Sequence, residues 1–591
     1  MTSPRQTVRG GGGEVWLAWA IPAAALLVGL VSVSLWAGSG LAFVLSGRGW
    51  QPPSLSLLLV VDVVRAGGPA GLWPTLSPTL VLALSAVVAV LLLALPGWLA
   101  VRLLRRRPTS AVRSLARPGD VQPMLPAAAL AKAQSLRPSL AGGRRVDPDQ
   151  TGIALGRLQP RGAVLRASWE DVLLAVMAPR SGKTTSLAVP ATLAAPGAVV
   201  LTSNKADAWA ATAQLRAHDT SERVWTFDPQ QIARQTQSWA WDPIAELDGV
   251  EDAERLASHF VLTVDDDRAR DIWGPAAAEL LAALFLAAQL AGTDLSGAYG
   301  WLQAETDPTA VTLLQHGGYP ALARSLQASM KAPAETRGSV LFTARTACRC
   351  LRDPLITAWT TVRPGLDRFD PAAFATSRQT LYLLSKDGGG SAAPLVAALT
   401  DRVLRCAVRA AEDRGGRLDP PLLAVLDEAA NICRIADLPQ LYSHLGSRGV
   451  VPITILQSYA QGEQVWGRGG MRALWSAATI KLLGAGLDEA AFVEDISRLV
   501  GDHDVPADSW TSGQGKATRT SSTRRERILS AADLRALPKG TALLLATGAR
   551  PAMLRLLPWY DSPRAPAITA ATDAAVAGVA ARPARLQQVG P

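Results

Sequence analysis

The sequence predicts an α/β fold, a mostly parallel sheet with helices on both faces, behind two N-terminal transmembrane helices. Three observations predict it: short apolar runs alternate with helical stretches, one such run leads into a Gly-Lys-Thr turn, and two long uncharged runs precede this body. Such alternation is typical of a parallel sheet. Strands are predicted at residues 172–176, 199–202, 224–227, 381–384, 422–426, 453–456 and 480–483, with a terminal hairpin of 543–546 and 553–557.

Two apolar runs near the N-terminus are long enough to cross a membrane. Residues 15–36 and 79–101 contain no charged side chain, and about 20 helical residues span a hydrocarbon core. Arg5 and Arg9 precede the first run and an arginine cluster follows the second, so the positive-inside rule places both ends in the cytoplasm. We expect a multi-pass protein of the inner or plasma membrane with the bulk of the chain cytoplasmic.

The net charge of +10 is concentrated in two short segments. Residues 101–118 hold six arginines and no acid, and residues 510–529 hold five cations against one acid, so together they account for the whole excess. Membrane topology and anionic lipid explain the first segment, with DNA contact as the alternative. Four Cys and five His in 591 residues exclude a disulfide-stapled secreted scaffold and leave no zinc cluster.

A phosphate-binding loop is predicted directly after the first strand of the sheet. The strand leads into APRSGKTT and then a helix, and this order places backbone N–H groups around a phosphate at a helix N-terminus. Lys183 can reach the β- and γ-phosphates and the Thr184 hydroxyl can bind Mg²⁺. The predicted nucleotide-contacting residues are Ala178, Pro179, Arg180, Ser181, Gly182, Lys183, Thr184 and Thr185.

The loop departs from the full GxxxxGK[ST] pattern at its first position. Methionine, Met177, stands where the pattern has glycine. A methionine does not easily adopt a positive φ. The loop therefore has to close with a negative φ at Met177, and the departure puts the rate of turnover in question rather than the fold.

An acidic strand end supports the prediction of a nucleotide site. The apolar run 422–426 ends in Asp427 and Glu428, which is typical of a buried parallel strand. Asp427 can hold the Mg²⁺ shell, and Glu428 can orient or deprotonate an attacking water. Gln457 ends a later strand and can sense the γ-phosphate. The alternatives are a solvated acidic pair and a strand cap.

Two further motifs concern the nucleotide and a possible contact from a neighbouring subunit. Arg448 lies in a loop just before a strand, where it is either an arginine finger reaching a neighbouring subunit's nucleotide or a surface charge. Asn204-Lys205-Ala206-Asp207 matches a guanine-reading motif, but it comes about twenty residues after the phosphate loop and no DxxG precedes it. We therefore expect ATP with Mg²⁺, and Asp207 as a helix cap.

An all-helical insertion is predicted between the third and fourth strands, since residues 249–366 show no strand pattern. Residues 276–291 carry Glu279 and are expected to be a buried core helix rather than a membrane span. The predicted organisation is an N-terminus (1–14), a two-helix anchor (15–107), a linker (108–143), a P-loop NTPase domain in two parts (144–248 and 367–560) around the all-α domain (249–366), and a disordered tail (561–591).

Taken together, the motifs resemble a known family. In chain order they are APRSGKTT at 178–185, VWTFDP at 224–229, IWGPAAA at 272–278, VLDEA at 425–429, SRG at 447–449 and LQSYAQ at 456–461. With two membrane spans before them, these motifs occur in an order similar to that of the TraG/TraD-type coupling proteins of type IV secretion. The resemblance covers roughly residues 16–560.

That resemblance implies a RecA-like, membrane-anchored, hexameric ATPase. It would bring a relaxase-bound single DNA strand to a secretion channel and translocate it during conjugation, while its all-α domain would contact the DNA-processing complex. By motif matching it gives Lys183, Thr184, Asp427, Glu428, Gln457 and Arg448 the family's corresponding roles. The alternatives are a motor for protein secretion or chromosome translocation and a weakly hydrolysing nucleotide-binding scaffold.

The second basic segment, 510–529, is polar and lacks apolar periodicity, so we expect a flexible loop. Such loops neutralise phosphate backbones without reading bases. The candidate DNA-binding residues are Lys516, Arg519, Arg524 and Arg525. The alternative is a solvated surface loop.

Overall fold

A computed structural model describes residues 13–105, 114–140, 146–264, 267–513 and 516–581. The chain divides into two compact units, Met1–Thr109 and Ser110–Pro591. The arginines at positions 106, 107 and 113 of the first basic segment lie outside the described residues.

The N-terminal unit is a small helical assembly. Its helices are α1 (Gly13–Leu45), α2 (Leu59–Arg65), α3 (Pro69–Leu72) and α4 (Pro78–Arg105). Helices α1 and α4 pack closely at Gly38, where an added Cβ would lie 2.6 Å from the amide nitrogen of Ser85. By length and composition Ala25–Leu45 could cross a membrane, and the apolar segment Pro78–Ala94 is shorter. Small residues at such crossings are typical of membrane helix pairs.

The second unit is built on one large mixed sheet, a long two-stranded hairpin and one short strand pair. In chain order the strands are β1 (Ile153–Leu158), β2 (Val164–Ala167), β3 (Leu173–Val176), β4 (Val199–Ser203), β5 (Val224–Phe227), β6 (Trp239–Ala240), β7 (Asp367–Arg368), β8 (Thr380–Leu384), β9 (Leu422–Leu426), β10 (Val450–Leu456), β11 (Ile480–Gly484), β12 (Asp502–Gly513), β13 (Lys516–Arg527), β14 (Thr541–Ala546) and β15 (Ala552–Arg555). The large sheet has the order β2-β1-β15-β14-β11-β3-β10-β9-β4-β8-β5.

Seven neighbouring strands of this sheet, from β11 to β5, are parallel, and the other four are antiparallel. Both faces are covered. Leu174 and Val200 belong to one apolar core, while Leu173 and Leu201 belong to another. Alternate residues of a strand point to opposite faces, so the continuous apolar runs read from the sequence are strands buried on both sides. The predicted α/β fold is confirmed.

The helices of this unit are α5 (Pro126–Leu136), α6 (Val189–Ala194), α7 (Asp207–Thr220), α8 (Val250–Val261), α9 (Asp267–Ala291), α10 (Leu295–Gln303), α11 (Thr309–His316), α12 (Pro320–Lys331), α13 (Ala334–Ala347), α14 (Pro354–Thr357), α15 (Pro371–Ala375), α16 (Ala393–Asp413), α17 (Ala429–Ile432), α18 (Leu438–Leu441), α19 (Tyr459–Ala477), α20 (Ala490–Val500), α21 (Ala531–Arg535) and α22 (Ala565–Ala581).

Helices α8 to α14 fill the predicted insertion, and no strand occurs between 250 and 360 among the residues described there. Helix α9 is long and apolar enough to span a membrane, yet 61% of its apolar segment is buried within this unit. Phe285, Leu286 and Ala287 lie in the same core as the sheet. The interpretation of this helix as a core helix is thus supported by its packing, while the boundaries of an all-α domain stay a prediction.

The prediction of a disordered tail from 561 is wrong for most of that segment. Helix α22 packs on α7, with Ile568 and Ala571 buried. Ala575 and Val579 pack against the apolar core that contains Ile568. These four positions repeat at three- and four-residue intervals and form one helix face. Residues 582–591 lie outside the described part of the chain.

The prediction of a flexible loop at 510–529 is also wrong. Strands β12 and β13 pair antiparallel over twelve residues each, from Asp502 with Arg527 to Gly513 with Lys516. Backbone pairing holds this hairpin, so an apolar repeat in the sequence is not required. Residues 514 and 515 at its tip lie outside the described residues.

Candidate nucleotide site

The phosphate loop joins β3 to the helix that follows it, at the edge of the sheet where the parallel strands end. Two residues of the loop have a positive φ, Arg180 at 61° and Gly182 at 96°, and Met177 does not. The Met177 amide continues the ladder and donates to the carbonyl of Leu456 at 2.9 Å. The two residues with a positive φ thus lie three and five positions after Met177, where the common pattern has glycine.

Met177 is fully buried and packs on a glycine of the neighbouring strand. A Cβ added to Gly484 in β11 would lie 2.9 Å from Cγ and Cε of Met177, closer than side-chain carbons approach one another. The methionine therefore occupies space that Gly484 leaves open.

The predicted phosphate and acidic residues come together at this edge. The Lys183 ammonium contacts the Glu428 carboxylate and lies 3.3 Å from Oδ1 of Asp427. The Thr184 hydroxyl is 3.5 Å from Oδ2 of Asp427. Parallel strands end at the same edge of a sheet, which is why the loop after β3 contacts the residues that follow β9 although the two segments are far apart in the chain.

Glu428 is held in a strained conformation by several partners. Its φ is 59°, in the left-handed region that non-glycine residues seldom occupy. Gln457 Nε2 donates to Oε2 of Glu428 at 2.5 Å, and Asn431 Nδ2 donates to the same oxygen at 3.1 Å. The predicted place of Gln457 beside the acidic pair agrees with this geometry, and Asn431 is a contact of the carboxylate.

Both carboxylates are shielded from solvent, with Asp427 3% and Glu428 6% exposed. Burial raises the pKa of Asp427, the nearby Lys183 ammonium lowers this pKa, and the Glu428 charge raises it. The Thr202 hydroxyl, at the end of β4, donates to the Asp427 carbonyl at 3.0 Å. Sequence reasoning missed Thr202; the signal available was a polar residue ending an apolar run.

The described residues fit a nucleotide with Mg²⁺. The Ser181 hydroxyl is buried without a hydrogen-bond partner, and Asp427 Oδ1 has the Lys183 ion pair but no hydrogen bond. Within the described residues no group of three or more His, Cys, Asp or Glu could hold a metal. Mg²⁺ usually binds one or two protein oxygens together with phosphates and waters, and Thr184 and Asp427 supply such oxygens.

Arg448 is not part of this cluster. It precedes β10, at the opposite end of that strand from Gln457, which places the two about 20 Å apart for a seven-residue strand. Its guanidinium pairs with Glu412 at 3.2 Å. Arg448 thus lies at the opposite edge of the sheet from Lys183 and Glu428 of its own chain, and its role in a neighbouring subunit stays a prediction.

The basic hairpin carries less net charge than its second strand suggests. Strand β12 contributes Asp502, Asp504 and Asp508. Arg525 lies 3.8 Å from a carboxylate oxygen of Asp502, and the side chains of Arg524 and Arg525 are 75% and 78% exposed. The side chains of Lys516 and Arg519 lie outside the described part of the structure. Two of the four predicted DNA-binding cations are thus shown to face solvent.

The loop, the acidic strand end and the parallel sheet define a P-loop NTPase of the RecA-like class. A solved structure of the bacterial conjugative coupling protein TrwBdeltaN70, in its unbound monoclinic form, matches with a TM-score of 0.51 and 20% identity. The match covers 68% of this chain and 88% of that one. At this identity the match supports the fold alone.

The sequence comparisons show which known proteins this chain is similar to. Residues 421–539 match the family described as the TraM recognition site of TraD and TraG. Two conjugal transfer proteins TraG of Escherichia coli are 24% and 23% identical over 341 residues, 53% of this chain and 53% of each relative. The resemblance to the coupling proteins of type IV secretion is thereby confirmed. The chain spans about half the length of the curated relatives it matches.

Proposed function

We propose that this protein is a membrane-anchored ATPase that couples a relaxase–DNA complex to a secretion channel and translocates single-stranded DNA during conjugation. The observation that carries the proposal is the buried Glu428 carboxylate, which Asn431 and Gln457 hold beside Lys183. A carboxylate oriented in this way beside a phosphate loop suits activation of water.

The chemistry assigned to each residue follows from its position. Bound Mg²⁺ would neutralise charge on the β- and γ-phosphates, with Thr184 and Asp427 as its protein ligands. The Lys183 ammonium would move from the carboxylates to the γ-phosphate. Glu428 would then accept a proton from the attacking water at a carboxylate oxygen, while the Gln457 and Asn431 amides fix the orientation of that carboxylate.

The cellular setting of the proposal rests on the relatives and on the N-terminal helices. Two relatives are named conjugal transfer proteins, and the solved match is named a conjugative coupling protein. The apolar helices α1 and α4 support an anchor in the plasma membrane. The intact Lys183, Thr184, Asp427 and Glu428 cluster favours an active enzyme over a nucleotide-binding scaffold.

The function is tested by measuring ATP hydrolysis of the purified full-length protein in detergent, alone, with single-stranded DNA and with duplex DNA of equal length. We expect hydrolysis that depends on Mg²⁺ and that single-stranded DNA stimulates more than duplex DNA does. Hydrolysis indifferent to every DNA would contradict a DNA-translocating role and leave a motor for another substrate.

We predict that Arg448 acts in a neighbouring subunit. Arg448→Ala should lose hydrolysis, and mixing it with Lys183→Ala subunits should restore part of the activity, because one type of interface then combines an intact Lys183 with an intact Arg448. The measurement is the hydrolysis rate across mixing ratios, with co-assembly checked by affinity tags. No recovery in mixtures that co-assemble would give Arg448 a structural role.

We also propose that the β12–β13 hairpin contacts the DNA backbone. Replacing Lys516, Arg519, Arg524 and Arg525 by Ser should weaken single-strand binding and flatten its salt dependence by up to about 3 units of log–log slope, at about 0.7 per phosphate. The matched control replaces four exposed arginines outside the hairpin, Arg409, Arg498, Arg535 and Arg550. Equal slopes in the hairpin variant and wild type would make the hairpin a solvated surface element.

A further inference from the structure

A cavity of about 500 Å³ lies beside the helical segment that follows the phosphate loop. Ser186, Pro190 and Leu193 line one wall from that segment. Strands β1 and β2 contribute Ala154 and Arg166, and the C-terminal segment 557–568 closes the remaining side. The volume is in the range of pockets that hold small molecules.

The cavity adjoins the turn that follows the phosphate loop. Ser186 follows the Gly182-Lys183-Thr184-Thr185 sequence directly, and its amide donates to the carbonyl of Gly182 at 2.8 Å. The C-terminal turn Trp559–Asp561 contacts the turn Thr184–Ala188, which is the first turn after the loop. A nucleotide whose phosphates lie in the loop extends its ribose and base beyond it, and the cavity lies beside the residue that follows the loop, Ser186.

The walls combine apolar, aromatic and polar side chains, which a nucleoside can contact. Apolar surface comes from Pro190, Leu193 and Ile568, and Trp559 supplies an aromatic ring. Polar groups line the cavity as well: Arg166 pairs with Asp149 at 3.1 Å, and the others are Asp147, Ser186, Asp561, Ser562 and Arg564. Aromatic rings stack on bases, and polar groups beside an apolar wall fix the orientation of a ligand.

The wall formed by the C-terminal segment is held in place by helix α22. Arg564 pairs with Asp219 at the end of α7 at 2.5 Å, and Arg234 donates to the Val579 carbonyl at 3.1 Å. Ile568 is buried in the core that also contains Leu187 and Val189 of the loop's helical segment. The segment that closes the cavity is thus fixed to the same core as the phosphate loop.

We propose that this cavity binds the base and ribose of the nucleotide, with Trp559 as the residue that packs on the base. The proposal rests on the proposed function, because it takes the phosphates of ATP to lie in the loop. It adds a role for the C-terminal segment, which would contribute to affinity through the nucleoside and not through the phosphates.

The test separates the nucleoside half of the ligand from the phosphate half. Binding of ATP and of inorganic tripolyphosphate, each with Mg²⁺, is measured by calorimetry on the full-length protein in detergent. Trp559→Ala should weaken ATP binding about 10-fold or more, the scale of one base–aromatic contact. Tripolyphosphate binding should change less than about twofold, since the loop is untouched.

Three further variants complete the test. Trp559→Phe should restore ATP affinity because a ring is kept, and Leu193→Trp, which fills the cavity from the helix side, should repeat the loss without altering Trp559. Tyr560→Ala is the matched control, since Tyr560 is the exposed neighbour and does not line the cavity.

The possible failures differ in what they overturn. Equal weakening of ATP and tripolyphosphate in Trp559→Ala and Leu193→Trp would overturn the proposal, because the segment would then only support the loop. Unchanged ATP affinity in both variants would overturn it as well. A wild-type protein that binds neither ligand would overturn the proposed function itself.

Discussion

Lys183→Ala is expected to lower ATP hydrolysis by at least about 100-fold, the scale of removing a preorganised charge from a phosphate or oxyanion site. The γ-phosphate would lose its main cation. The two buried carboxylates that Lys183 contacts, Asp427 and Glu428, would also lose their counter-charge, and an unpaired buried charge destabilises a fold. The measurement is steady-state phosphate release with excess MgATP.

Thermal unfolding of the same variant separates the two effects. The matched control is Lys205→Ala, an exposed lysine in the Asn204–Asp207 segment that matches the guanine-reading motif. It should keep the rate of ATP hydrolysis and the preference for ATP. A folded Lys183→Ala protein that hydrolyses ATP at the wild-type rate would place the phosphates elsewhere.

Glu428→Gln is expected to keep MgATP binding and to lower turnover by about 100-fold or more, within the range for loss of a general base. The amide has the size of the carboxylate and can still pair with Asn431 and Gln457, so the loop around it should persist. It cannot accept a proton from water. Single-turnover hydrolysis and equilibrium binding, measured on the same sample, separate chemistry from affinity.

The matched control for this change is Glu254→Gln, an exposed glutamate on α8. It should leave both the rate and the affinity unchanged. Wild-type turnover in Glu428→Gln would show that another group activates the water.

The parallel strands of the sheet were predictable because burial on both faces requires uninterrupted apolar residues. Strand β9 is five buried residues followed by Asp427, and the sequence alone defines both its extent and its acidic end. Strands β1 and β2 escaped prediction. The chain there is short, contains Arg157, and shifts register between Ala154 and Gly156, so its pattern is neither continuous nor alternating.

The candidate site was predictable only in part. Strand ends that meet at one edge brought Lys183, Asp427 and Gln457 together as expected. The left-handed backbone of Glu428 and the support from Thr202 depend on neighbouring strands, which no local pattern encodes. Trp559 was missed for the same reason, because its position relative to the loop is set by the packing of α22 on α7, more than three hundred residues earlier in the chain.

The packing of Met177 on Gly484 connects the phosphate loop to strand β11. The side chain of Met177, at the start of the phosphate loop, packs on β11, and β11 pairs in parallel with β3 over four residues. From β11 the chain runs through α20 directly into the β12–β13 hairpin. The residue by which this loop departs from the usual motif therefore couples the position of the loop to the strand that leads to the hairpin. A displacement of that strand would be transmitted to the phosphates by side-chain packing as well as by the hydrogen bonds of the sheet.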